Sequence, residues 1–319
     1  MALACAGVEI LPDATALDSP AVPGATVHGA AVDWRGVGWF VALAYGLAWT
    51  VEGIALARGM RFGTLTASAV ALLGGVMFTP ALAATIVRRV RGEGFASAGL
   101  RRGPWRAYVA VWIGVPVLVA LVFVLTVLLG LGRFDPSLSR LTAMLHEQAA
   151  GRPLPALPPP QVLALAMFAQ GVTLGVLVTS IATFGEEFGW TGYLLVKLLP
   201  LGRWRAAIVY GVLWGLWHAP IIAAGHNYPG YPVLGIAMMC ALTTAFALTQ
   251  TALRLRSGSV LLTSFFHASV NTQGLGVLPL LVVGVSPVLG GATGVVGIVA
   301  FAAVGAVLLA RTTAPARSG

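Results

Sequence analysis

The sequence predicts an all-α fold, a polytopic membrane helix bundle of about eight transmembrane helices. Three observations carry that expectation. Of the 319 residues, 58% are hydrophobic and 9% charged, and the mean hydropathy is +0.90, which leaves too little charge for a water-facing surface. Eight stretches stay apolar for about the 20 residues that a ~30 Å hydrocarbon core demands. None of them alternates with period two, so the strands of a membrane barrel, the other way to satisfy a backbone in lipid, are excluded. Soluble enzymes and disordered chains are excluded on the same balance.

The apolar stretches lie at 37–56, 65–87, 107–131, 162–196, 206–224, 233–253, 259–285 and 288–310. Residues 1–35 carry Glu9, Asp13, Asp18 and Asp33 among Pro and Gly, with no basic segment ahead of an apolar run. They are expected to form a disordered cytoplasmic tail rather than a signal peptide. Residues 36–310 are then the transmembrane domain, with a catalytic-like core at 160–275, and 311–319 a second cytoplasmic tail. The longest connection, 132–161, holds a short amphipathic stretch around 138–150 and ends in Pro158-Pro159-Pro160. It is expected outside, as a linker or a lid. Cys5 and Cys240 have no partner pattern. No internal repeat is visible, which argues against an inverted-repeat transporter.

The net charge of +9 arises from nineteen basic residues, Lys197 being the single lysine. They collect after the even-numbered stretches: Arg88 to Arg106, Lys197 to Arg205, Arg254 with Arg256, and Arg311 with Arg317. The excess of positive charge in these loops places both termini in the cytoplasm. Clusters between apolar runs suit lipid headgroups rather than nucleic acid. The abundance of Ala, Gly and Arg suggests a GC-rich bacterial genome, hence a bacterial plasma membrane.

Against this apolar background a few polar residues need a reason. Glu52, Glu186 and Glu187 are the carboxylates inside the stretches, and His218, His267 and Asn271 accompany them. An ionisable group at mid-bilayer costs roughly 2.5 to 3.5 kcal/mol on insertion, so function is the first reading. Glu186 and Glu187 precede Lys197 by 11 and 10 residues, His218 follows Arg205 by 13, and His267 follows Arg256 by 11. At ~1.5 Å per residue all lie about 15 to 20 Å from a charged edge. They share one level on three helices. Trp214 and His218, and likewise His267 and Asn271, are four apart and project from one face, whereas Glu186 and Glu187 diverge by about 100°.

Each histidine alone reads as a helix-packing residue; together they read as a buried polar site. A Glu with a His suits activation of water as a general base. His267 and Asn271 suit an oxyanion. No nucleophilic serine elbow, phosphate loop or zinc-protease helix motif occurs. Glu52 stays unassigned, either a structural partner or a residue near the outer interface, and the Trp214 and Trp217 rings read as packing or cavity lining.

The runs Glu186-Glu187-Phe188-Gly189-Trp190-Thr191-Gly192-Tyr193-Leu194, Trp214-Gly215-Leu216-Trp217-His218-Ala219-Pro220 and Phe266-His267-Ala268-Ser269-Val270-Asn271 resemble the CAAX protease and bacteriocin-processing family of intramembrane glutamic endopeptidases. The motifs cover about residues 160 to 275. The resemblance implies that Glu186 activates water with help from His218, that His267 and Asn271 stabilise the oxyanion, and that Glu187, Thr191 and Trp214 give structural support. The sequence departs from the family pattern at Thr191, where Arg is usual, and at Trp214, where Phe is usual. Glu187 then needs another partner: the Thr191 hydroxyl, Tyr193, or an Arg from elsewhere such as Arg205. The activity implied is hydrolysis of a peptide bond in a membrane-anchored peptide or protein, without a cofactor. Three other readings stay open: a zinc site of one Glu and two His, a proton-coupled transporter, and a scaffold or immunity protein that keeps the fold without catalysis.

Overall fold

The computed structural model describes residues 31–61, 66–149 and 157–312. Residues 1–30 of the expected tail, with Cys5 and His28, and residues 313–319 lie outside the described residues. Helix α1 (Trp34–Ala57) starts at Asp33, whose carboxylate accepts the Gly36 N–H, an N-cap that also sets negative charge at the positive end of the helix. The next crossing, α2 (Ala67–Val76) and α3 (Thr79–Val90), jogs at Met77 and Phe78 and resumes with Pro80 in the first turn of α3, where a missing N–H costs little. Helix α4 (Trp105–Leu128) follows. The run from Pro160 to Leu201 comprises α6 (Pro160–Gln170), a π-helical turn at Gly171–Gly175, α7 (Val176–Gly189), a second π turn at Trp190–Leu194, α8 (Leu195–Leu198) and a 3₁₀ turn. With α11 (Pro232–Ser257) these give, among the described residues, five helices long and apolar enough to cross a membrane. The protein is an all-α, multi-pass membrane bundle.

Among the described residues the expected count of about eight crossings is not confirmed. The remaining three stretches hold α9 (Arg203–Trp217), α12 (Val260–Gly274) and α13 (Val295–Ala310), of 15, 15 and 16 residues. Helix α9 stops at His218 and a short α10 (Ala219–Ala223) follows; Pro220 lacks the N–H that would continue the ladder. The stretch at 259–285 leaves the helix at Gly274 because Gly276, Pro279 and Gly284 follow, residues whose apolar score conceals poor helix propensity. It forms instead a 3₁₀ turn and strand β2 (Val282–Val283), antiparallel to β1 (Arg133–Phe134) with Arg133 opposite Val283. The amphipathic stretch near 138–150 is helix α5 (Ser139–Ala149). Leu138 and Leu141 pack there on Ala164, Val277 and Leu280. Asp135 accepts the backbone N–H groups of Ser137 and Ser139. The Ser137 and Ser139 hydroxyls, and then those backbone bonds, hold its carboxyl down to about 2. Residues 150–156 of this connection lie outside the described residues.

Helix α11 packs on α9 and α13, α12 on α7 and α4, and α3 on α7 and α1. Two glycines set the closest approaches. A Cβ at Gly215 would lie 2.4 Å from the Cys240 Cα, and one at Gly189 2.5 Å from the Pro80 side chain; only glycine allows helix backbones so near. At one edge of the bundle, Asp33 and Glu93 alternate with Arg91 and Lys197, with N···O separations of 2.8 to 3.0 Å. Partial burial alone would raise both carboxyls. For Asp33 the Gly36 amide, Lys197 and Arg91 outweigh it, and for Glu93 Lys197 and Arg91 do, so both sit below their ordinary values.

Candidate active site

Helix α7 ends in the glutamate pair, and its twist sends the two carboxylates to different surroundings. Glu187 is 0% exposed and enclosed by helices. Its Oε1 accepts the Gln250 side-chain amide at 2.6 Å and lies 3.0 Å from Nδ1 of His267. Its Oε2 accepts the Thr191 hydroxyl at 3.0 Å. Gln250 is itself held by the Tyr210 hydroxyl at 2.5 Å. Glu186, one residue earlier, accepts the Trp214 indole N–H at 2.7 Å and lines a cavity of about 390 Å³.

That cavity gathers the residues expected at a common level. His218, His267 and Asn271 line it with Glu186 and Trp214. The Trp214 ring stands between the histidines, its centroid 5.0 Å from His267 and 6.2 Å from His218. His218 closes the C-terminal end of α9, with Nδ1 2.9 Å from the Trp214 carbonyl oxygen. A ring so tied by one nitrogen presents the other, Nε2, away from its helix. The walls reach exposed Val70 on α2 and Val178 on α7, so the cavity meets the lipid-facing surface between those helices. They also reach His226 and Thr293, at the end away from Lys197.

The departure at Thr191 has a local resolution. Its hydroxyl joins the Glu187 carboxylate and also lies 2.9 Å from the Thr263 hydroxyl. Arg205 is not what holds Glu187; the side chains bonded to that carboxylate are Gln250, His267 and Thr191. Positive charge does lie close by, on Arg254 and Arg88, which are 1% and 2% exposed. Arg254 donates to the Thr191 and Ser97 carbonyl oxygens and Arg88 to that of Gly192. They neutralise backbone dipoles around the second π turn.

Gln250, Tyr210, Thr263, Arg88 and Arg254 are the supporting residues that motif reading passes over. Both arginines count in the sequence as edge charges. The available signal was spacing: Gln250 and Arg254 are four apart, as are Tyr210 and Trp214, so each pair shares a helix face. Glu52 of α1 also lines the cavity. It is 0% exposed, and neither carboxylate oxygen has a hydrogen-bond partner. Among the described residues no group of three or more His, Cys, Asp or Glu side chains could hold a metal ion.

Residues 168–273, the segment that carries the glutamates, His218, His267 and Asn271, match the Rce1-like family, described as type II CAAX prenyl endopeptidase. The chain is also similar to the CAAX prenyl protease 2 of Methanococcus maripaludis, 31% identical over 98 residues. That match covers 28% of this chain and 35% of the relative, so the chain spans about a third of the protein it matches. No solved structure gives a significant match.

Proposed function

We propose that the protein is an intramembrane endopeptidase of the CAAX-protease type, which hydrolyses a peptide bond of a membrane-associated substrate with water activated by Glu186. One observation carries the reading: Glu186, His218, His267 and Asn271, from three separate apolar helices, line a single cavity. A carboxylate whose other obligation is one indole N–H is free to take a proton from water as that water attacks the carbonyl carbon. His218, through Nε2, assists and holds the water. The oxygen of the carbonyl gains negative charge, and Asn271 and His267 are the donors for it. Glu186 then returns the proton to the departing amine as the C–N bond breaks, leaving a carboxyl and an amine. No covalent enzyme intermediate and no metal enter the scheme.

The substrate is a membrane-anchored peptide, of the leader or signalling kind in a bacterial plasma membrane, with both termini of the enzyme cytoplasmic. Processing of a membrane-anchored peptide in reconstituted vesicles tests this. Glu186→Ala and His218→Ala should each abolish it, and full activity in either variant rejects the assignment.

A further inference from the structure

Helix α1 is tied to α9 along one face. The Tyr45 hydroxyl donates to the Leu213 carbonyl and the Trp49 indole to that of Trp217 at 2.9 Å. Both bonds advance four residues together, so the helices run parallel, and Glu52, three residues past Trp49, continues the same face. Ala55 then meets Ile221 beyond it. Asp33 starts α1 at the charged edge shared with Lys197, which gives a common origin for depth. Glu52 lies 19 residues from that origin and Glu186 lies 11, or ~28 Å at 1.5 Å per residue against at most ~16 Å, because the π turn at Trp190–Leu194 shortens the second path. The cavity is lined by both carboxyl groups, and the count sets them at least about 12 Å apart in depth.

Burying a carboxyl group with no hydrogen-bond partner is costly, so its two oxygens call for donors from outside the fold. The cavity that Glu52 lines is apolar over much of its wall, with Val70, Leu73 and Ile221, and also carries His226, Asn227 and Thr293. Among the described residues no group of three or more His, Cys, Asp or Glu side chains could hold a metal ion. We infer that Glu52 is a specificity residue which receives the basic side chain, lysine or arginine, of a peptide bound in the cavity. The aliphatic stem of such a side chain suits the apolar walls, while its N–H groups supply the donors that both Glu52 oxygens lack. An extended peptide advances about 3.3 Å per residue. That offset thus sets the basic residue at least about three or four positions from the bond next to Glu186. The scissile position rests on the proposed hydrolysis; the cation subsite itself does not.

The test is a binding measurement in which turnover is switched off. Apolar, membrane-anchored peptides carrying one lysine, moved stepwise along the chain, are compared with norleucine counterparts on the Glu186→Gln protein in nanodiscs. Fluorescence anisotropy should show one lysine register binding at least about tenfold more tightly than norleucine, a gain near 1.4 kcal/mol. The gain should vanish in Glu52→Gln with Glu186→Gln, and glutamate should replace lysine as the preferred residue in Glu52→Lys with Glu186→Gln. Absence of any lysine-favouring register in the single variant overturns the inference without reliance on the double variants. Survival of the preference in Glu52→Gln overturns it too. Wild-type turnover separates the two readings: Glu52-dependent binding without hydrolysis removes only the protease, and hydrolysis with no lysine preference removes only the subsite.

Discussion

The two glutamates at the end of α7 are neighbours in sequence and opposites in surroundings. Around Glu187 the protein is closed: Gln250, His267 and Thr191 fill both oxygens, and Tyr210 and Thr263 hold those partners in turn. Around Glu186 it is open, with the Trp214 indole on one side and a cavity on the other. A carboxylate saturated by the fold has little capacity left for chemistry, whereas one held at a single oxygen is positioned without being used up. Loss of the first should therefore be read in stability and loss of the second in rate.

The largest effect expected is on that second side. Glu186→Gln should cut processing by roughly 10²- to 10⁴-fold, the usual range for a general base, with no fall in the thermal midpoint. A comparable fall in both would erase the distinction. Asn271→Ala, which removes an oxyanion donor, should cost about 10²- to 10³-fold in kcat while peptide affinity holds in an inactive background. On the closed side Gln250→Leu should destabilise the protein by ~1 to 3 kcal/mol, the penalty of an unmet buried acceptor, measured by unfolding in mild detergent. Thr191→Arg sharpens the same point. Position 191 is buried against Thr263 and its carbonyl already receives Arg254, so restoring the family's arginine should lower stability through overpacking and should not raise activity.

The smallest effect concerns the edge. Lys197→Ala should cost no more than ~1 kcal/mol, as is usual for partly exposed ion pairs. Asp33 and Glu93 are held below their ordinary 3.8 and 4.5. Their contribution is accordingly complete above those values and disappears as pH falls through the lower, folded ones. A melting series for wild type and Lys197→Ala should converge on that acid limb.

The helical class and the membership of the cavity were legible in the sequence because both rest on coarse quantities. Continuous apolar runs mark helices in lipid, and counting residues from Lys197, Arg205 and Arg256 placed Glu186, His218 and His267 at one depth. Crossing lengths were less legible. The stretch at 259–285 scores as apolar throughout, yet Gly276, Pro279 and Gly284 turn it out of the helix, and hydropathy does not register conformation. The supporting shell was hidden for another reason. Gln250 and Tyr210 have no motif of their own, and Arg254 looks like a loop charge until α11 is seen to carry it inward to the Thr191 carbonyl. Which carboxylate a distant amide will meet depends on helix rotation and packing, to which spacing within one helix is blind.

The π turn at Trp190–Leu194 carries a consequence for length variation. A π turn is what an α-helix becomes when it absorbs one additional residue without breaking. Five residues of π turn advance around the axis about as far as four of α-helix, so deleting a single residue between 190 and 194 would let the backbone relax to an ordinary ladder and leave the downstream azimuth nearly unchanged. Deleting one residue from the α-helical part of α7 has no such buffer and would swing everything beyond it by about 100°, carrying Lys197 off the face it shares with Asp33 and Glu93. The chain is thus tolerant of a lost residue at the π turn and intolerant of one a few positions earlier.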